Sequence, residues 1–252
     1  MKSNGLIYRP KGRAKEYAAY ALNYYDKCTG GCKYCYCDGL WPGFSHGITE
    51  EIGTRKAFSF DKLERELKTF KAEPGEYVQL CFAGDPYCAA EEEIHITRTV
   101  LGLFLEYRVP TKILSKMGLA VLADLPFFKR FVADGIPLMV GQTLTFLNKE
   151  DSAKWEPGGA PPSERVGALS VLHDNGIKTW ASFEPVIDPT QTLGLMTAGL
   201  KVIDFYAIGK LNHRPEIEKT INWKTFGKGA ELMMKTYGKD YYIKADLRRL
   251  ME

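Results

Sequence analysis

The sequence predicts an α/β protein, a partial (β/α)6 TIM-like barrel of parallel strands, and three observations predict it. Short β-rich apolar runs alternate with longer amphipathic stretches along the chain. Strands alternating with helices join as parallel units with right-handed crossovers. Six such units fit in the 252 residues, too few for a closed eight-fold barrel.

The strand candidates run in order 17–25, 77–83, 111–115, 137–146, 178–186 and 204–210, each apolar and rich in β-branched or aromatic residues. Between them, 61–72, 90–107, 118–134, 163–175 and 191–200 carry helical periodicity. Ser163 reads as a helix cap and Gly176 as the stop of that helix. The Pro/Gly-rich stretch 154–164 reads as a βα loop, too short for a linker. "YGKDYYIKADLRRL" near the end adds a strand running into a short helix. The expectation is one domain over 1–252, with extensions 1–16 and 214–252 packed on the core. Functional residues belong at the carboxyl ends of the strands.

Composition is that of a globular protein, 45% hydrophobic and 26% charged, with a net charge of +3. No apolar run is long enough to span a membrane, and the N-terminus lacks a signal-peptide apolar core, so a cytoplasmic protein is expected. Arg9, Lys11, Arg13 and Lys15 crowd one end, and Lys239, Lys244, Arg248 and Arg249 the other. Brought together they would suit phosphates; apart they are two solvated termini.

Four of the six cysteines fall in "CTGGCKYCYC", residues 28–37. A reducing compartment argues against disulfides and for metal or redox chemistry. Cys28, Cys32 and Cys35 have the spacing Cx3CxxC, which lets one compact loop turn three thiolates inward. Three thiolates on a [4Fe–4S] cube leave one iron open to a small chelating ligand. With Cys37, four thiolates could instead close a zinc site, although no second knuckle is present. Cys37 otherwise packs beside the cluster. His46, His95, His173 and His213 have no ligand spacing.

The Cx3CxxC motif, with Tyr34 just before its last cysteine, resembles the radical S-adenosylmethionine (SAM) enzymes. "FAGDPYCAAEEEIHITRTVL", "ILSKM", "ASFEPVIDP", "AIGKLN" and "WEPGGAPPSERVGALSVLHDNGI" resemble segments of a narrower group, the spore photoproduct lyase-like or DNA repair photolyase-like proteins. The resemblance runs over residues 8–247. It implies a radical SAM core with a [4Fe–4S] cluster whose open iron chelates SAM. One electron then yields a 5′-deoxyadenosyl radical that abstracts hydrogen.

The resemblance also implies roles. Cys28, Cys32 and Cys35 hold the cluster; Gly84 and Asp85 meet the methionine amino end; Lys116 and Ser115 meet its carboxylate. Gln142 and Glu184 bind ribose or orient the substrate, and Tyr34 stacks near adenine. Glu156 and Arg165 read as a structural ion pair. Relatives carry a hydrogen-donor cysteine at the end of the second strand, where this chain has Phe82 or Ala83. Strand alternation would turn Cys81 away from the cavity. Tyr87 and Cys88 remain as donor candidates, with core burial the alternative for Cys88. The implied substrate is a modified thymine or other pyrimidine in DNA or a nucleotide, rearranged, cleaved or repaired as by a lyase or isomerase, as in phage base hypermodification. Trp41, Phe44, Tyr87, Trp155 and Trp180 are candidates to sandwich such a base. A reducing partner such as flavodoxin or ferredoxin is expected. The alternatives are a peptide or small-metabolite substrate, or a zinc-stapled nucleic-acid binding module.

Overall fold

The computed structural model describes residues 5–37 and 52–252. One eight-stranded sheet runs in sequence order: β1 (Ile7–Tyr8), β2 (Tyr20–Leu22), β3 (Val78–Leu80), β4 (Thr111–Ser115), β5 (Leu138–Thr143), β6 (Thr179–Phe183), β7 (Phe205–Ile208) and β8 (Asp240–Ile243). Every neighbouring pair from β2 to β8 is parallel, and β1 lies antiparallel on β2. Among the described residues no pairing joins β1 to β8, so the sheet is an open partial barrel. The six predicted strands are β2 to β7. β1 adds an edge whose two residues are too few to show a period.

Helix ends follow local chemistry more closely than the periodicity did. Asp188 accepts from the backbone N–H groups of Thr190 (2.8 Å) and Gln191 (3.1 Å), starting the helix Pro189–Ala198 with proline in its first turn. The helix expected from Ser163 starts instead at Pro162, and Ser163 lies inside its first turn. Gly176, with φ +74°, closes that helix as expected. The stretch 90–107 splits at His95, whose φ is +49°. Buried Glu91 supplies the reason: it accepts from the N–H groups of Thr97 (2.9 Å) and Arg98 (3.1 Å), the open first turn of the helix Ile96–Glu106. The stretch 118–134 opens as a 3-10 turn, Gly118–Asp124, and the α-helix begins at Leu125 with Pro126 in its first turn.

Side-chain size tapers along the inward face of the barrel. On β7 the series reads Phe205, Ala207, Gly209; on β6 it reads Trp180, Ser182. Met139, Trp180 and Ala207 fill the lower interior, with Leu114 and Phe205 against them. Gly141 admits Trp180: a Cβ there would lie 2.5 Å from the indole Nε1. That nitrogen donates to the Ile113 carbonyl at 2.8 Å. Above this layer, at the carboxyl ends of the strands, small residues leave a cavity of about 840 Å³. No helix among the described residues is long and apolar enough to cross a membrane.

Candidate functional site

The loop after β2 brings Cys28, Cys32, Cys35 and Cys37 to the wall of that cavity. Two features fold the loop tightly. Gly31 takes a left-handed φ of +56°, and Gly30 has no side chain where a Cβ would sit 3.3 Å from Cys28 Sγ and 3.5 Å from Cys32 Sγ. A side chain at position 30 would therefore crowd both sulfurs. Burial pushes the Cys28 thiol up to about 12, with the Asp85 carboxylate adding to the rise. An electropositive group, metal or cluster, would reverse that cost for a thiolate.

A second segment braces the loop from outside. Gly158 N donates to the Gly30 carbonyl at 3.0 Å, and Lys33 N to that of Trp155 at 2.9 Å. A Cβ on Gly158 would collide with the Thr29 carbonyl. The Tyr34 hydroxyl donates to Glu156, which Arg165 pairs at 2.7 Å, both charges being fully buried. Thr145 donates to the same carboxylate at 3.2 Å. The ion pair expected at Glu156 and Arg165 thus anchors the tyrosine of the cysteine motif. Tyr34 also lines the cavity.

Beyond β3, the neighbour of β2, Asp85 ties two strand ends together. Its Oδ1 accepts from Ser115 Oγ (2.7 Å) and Tyr87 N (2.9 Å), and its Oδ2 from Lys116 N (2.7 Å). Burial raises this carboxyl, while the Lys116 and Tyr87 N–H groups and the Ser115 hydroxyl pull it down. Lys116 lines the cavity; burial lowers its pKa, but Cys32 and Glu156 outweigh that and hold the ammonium above its ordinary value. Gly84, with φ +150°, also faces the cavity, where a Cβ would press within 3.3 Å of the Lys27 carbonyl.

Glu184, beyond β6, reaches the cavity in a fixed pose. Its Oε2 accepts from Lys244 Nζ and from the Tyr17 hydroxyl, each at 2.6 Å. Gly209 leaves room for it: a Cβ there would stand 2.7 Å from the carboxyl carbon. Tyr17 was not among the residues expected here. It enters the barrel from the segment before β2, shares a 2.8 Å hydrogen bond with Ser182, and accepts Lys112 Nζ on its backbone carbonyl at 2.9 Å. Only its place before the first parallel strand hinted at it.

Five expected residues lie elsewhere. Cys88 is fully buried in the hydrophobic core. A turn in which its N–H donates to the Asp85 carbonyl (3.1 Å) carries it into that core and off the cavity wall. Tyr87 is also core, its hydroxyl bonded to Asp124 at 3.1 Å. Gln142 points to the helix side of β5, donating to the Gly118 carbonyl at 3.3 Å, and its neighbour Thr143 takes the cavity wall. Trp180 fills the lower interior. Cys81, expected to turn away, lines the cavity: it stands two residues beyond Gln79, which also lines it, so alternation itself carries Cys81 inward, and its φ of +53° ends the strand there. Trp155 stacks on Phe146 outside the cavity wall. Trp41, Phe44 and His46 fall outside the described residues. Among the described residues no three His, Cys, Asp or Glu side chains close on one point as ligands of a single metal ion do.

The two basic termini meet, in part. Lys11, Arg13 and Lys244 line the cavity with Lys210 and His213, whereas Arg9 pairs with Glu76 and Arg248 with Glu231. Arg13 is paired with Asp246 (3.0 Å), Lys210 with Glu218 (2.5 Å) and Lys244 with Glu184.

No family model matches the sequence. A stretch of 170 residues is 28% identical to an uncharacterised protein of Methanocaldococcus jannaschii; it covers 68% of this chain and 61% of that protein, less than two thirds of its length. Among solved structures, the chain is similar to a spore photoproduct lyase variant with TM-score 0.70 and 10% identity, over 93% of this chain and 78% of that one. A lyase variant with dinucleoside spore photoproduct gives 0.68 and 12%, over 97% and 80%. Streptococcus suis SuiB bound to S-adenosylmethionine gives 0.65 and 13%, over 89% of this chain and half of SuiB. At these identities the likeness is one of fold: the chain shares its fold with spore photoproduct lyase and with SuiB.

Proposed function

We propose that this protein is a radical SAM enzyme acting on a pyrimidine base, a modified thymine above all, in DNA or a nucleotide. One observation carries the chemistry: three motif thiols open onto one cavity at the carboxyl ends of the strands, beside a buried lysine and a fixed carboxylate. Cys28, Cys32 and Cys35 would hold a [4Fe–4S] cluster, and Gly30 keeps the loop beside two of the sulfurs free of a side chain. Bound there with SAM, the cluster supplies the electron that breaks a carbon–sulfur bond and generates a carbon radical able to take hydrogen from substrate.

The chain's own groups set the rest. Lys116 offers the methionine carboxylate a cation in a buried site, where a charge pair is strong. Asp85, with three hydrogen bonds already made within the chain, positions Ser115, Lys116 and the Gly84 turn, and keeps a lone pair for the amino group. Glu184, held by Tyr17 and Lys244, presents its second oxygen to ribose or substrate. The donor role expected of Tyr87 or Cys88 passes to Cys81, whose thiol is on the cavity wall where neither of those residues lies. The proposed electron source is a cytosolic flavodoxin or ferredoxin.

A second reading, a peptide or small-metabolite substrate, is favoured by one observation: Arg13, Lys210 and Lys244 each have an acidic partner, so the mouth of the cavity offers phosphates less free charge than the termini suggested. Deuterium tracing decides. Oxygen-free, reconstituted protein is incubated with SAM, dithionite and an oligonucleotide deuterated at the modified base. Deuterium in 5′-deoxyadenosine supports the pyrimidine reading; label-free deoxyadenosine formed at the same rate without oligonucleotide sinks it. Absence of a cubane EPR signal sinks the radical SAM assignment itself.

A further inference from the structure

The outer face of the cysteine loop carries charge that the cavity does not use. Cys32, Tyr34 and Cys35 line the cavity, whereas Lys33 among them is exposed and does not. Two contacts gather further cations around it. Lys33 N donates to the Trp155 carbonyl at 2.9 Å, which sets it beside Lys154 in the last turn of the helix Lys149–Trp155. The Arg214 guanidinium, from the loop after β7, donates to the Lys33 carbonyl. Neither Lys154 nor Arg214 lines the cavity. Among the described residues no carboxylate pairs with any of the three cations. On the same segments, Glu156 and Glu218 are committed to Arg165 and Lys210, and Glu150 and Asp151 sit in the opposite, first turn of the helix. That leaves exposed Glu216 against three cations. Trp155 lies half-buried among them, one side stacked on Phe146. Tryptophan with arginine is the composition of a protein interface, and unpaired lysines around it are what an acidic partner meets.

We propose that Lys33, Lys154, Trp155 and Arg214 form the docking face for a small acidic electron-carrier protein of the flavodoxin kind. The inference rests on the radical SAM reading above. Lys33 lies within the turn that Cys35 N closes on the Cys32 carbonyl at 3.0 Å. A carrier seated there meets the chain between two of the proposed cluster ligands. The cavity mouth, with Lys11, Arg13 and His213, stays open for substrate. A nucleic acid feeding a base into the cavity would be held at that mouth, so the cations on the outer face are left to a different partner. The step moves one electron: the carrier's flavin hydroquinone gives it up and the cluster takes it.

The test is calorimetric titration of oxidised flavodoxin into the anaerobically reconstituted protein at low and high salt. Lys154→Glu should weaken binding about tenfold at low salt, as reversal of one interfacial charge does, and by less at high salt. Lys154→Gln should have a smaller effect of the same sign. Lys129→Glu, the same change of net charge on the helix Leu125–Ala133, should bind like the wild type. Stopped-flow reduction of the cluster by flavodoxin hydroquinone should slow in Lys154→Glu, and reduction by dithionite should not. With a normal cubane EPR signal, unchanged flavodoxin binding in both Lys154 variants overturns the docking face and leaves the radical SAM reading standing. Equal losses in Lys154→Glu and Lys129→Glu overturn it too. So does a short oligonucleotide that loses affinity in Lys154→Glu while flavodoxin does not. A wild type with no cubane signal sinks the radical SAM reading, and the electron route with it.

Discussion

The two ends of the barrel interior are built from the same strands and do opposite things. At the amino end, Met139, Trp180 and Phe205 meet in a filled layer, with Gly141 present only to admit the indole. Two residues further along each strand the inward positions hold Gly141, Ser182 and Ala207, then Thr143, Glu184 and Gly209. The first end is core. The second is a cavity with two carboxylates, four lysines and three motif thiols on its wall. The difference teaches that the taper of inward side chains, more than any single motif, decides where chemistry can happen in this fold.

The sharpest way to break that contrast is at the thiols. Replacing Cys28, Cys32 or Cys35 with Ala should abolish the iron–sulfur chromophore and SAM cleavage, whereas Cys37→Ala should retain iron; iron content and EPR check both. If one of the three variants keeps a full cluster, the ligand set is wrong.

Next come two substitutions of similar cost and different consequence. Trp180→Ala should lose about 3–5 kcal/mol of stability, as large core deletions do, with cluster content unchanged. Glu156→Gln should lose about 3–5 kcal/mol by leaving Arg165 unpaired, and should also release iron faster to a chelator because Tyr34 loses its anchor. Equal iron release in both variants would separate the brace from the cluster loop.

A smaller effect tests the filled end by pH. Burial, aided by Lys178, pulls Lys112 down to about 7 from 10.5. The unfolded chain then binds more protons than the folded one between those values, so stability rises with pH across that window and is lost as pH falls toward 7. Lys112→Met should flatten this slope and gain about 1–3 kcal/mol near pH 7, read from denaturant unfolding at pH 7 and 9.5. An unchanged slope rules out a depressed lysine. Smallest of all, Cys88→Ala should leave product and deuterium distribution unchanged. Cys81→Ala should alter them if the cavity thiol is the donor.

The cysteine loop, the parallel order of the strands and the Glu156–Arg165 pair were legible in the sequence. Spacing, alternation of element types and motif chemistry are local properties, and the chain carries them wherever it folds. Which face of each strand looks inward was not legible. Parallel strands are buried on both faces and read as continuous apolar runs, so Gln142 and Thr143 are equivalent in sequence. The helix-side contact with Gly118 and the cavity separate them only in three dimensions. Cys81 and Cys88 exchanged places because Cys81 shares the inward face of β3 with Gln79, while the turn after Asp85 carries Cys88 into the core; which face of β3 looks inward was not legible. The Tyr17–Glu184–Lys244 group joins residues from three distant segments. Long-range packing of those segments at the carboxyl ends of the strands brings them together, and only tertiary structure can decide that.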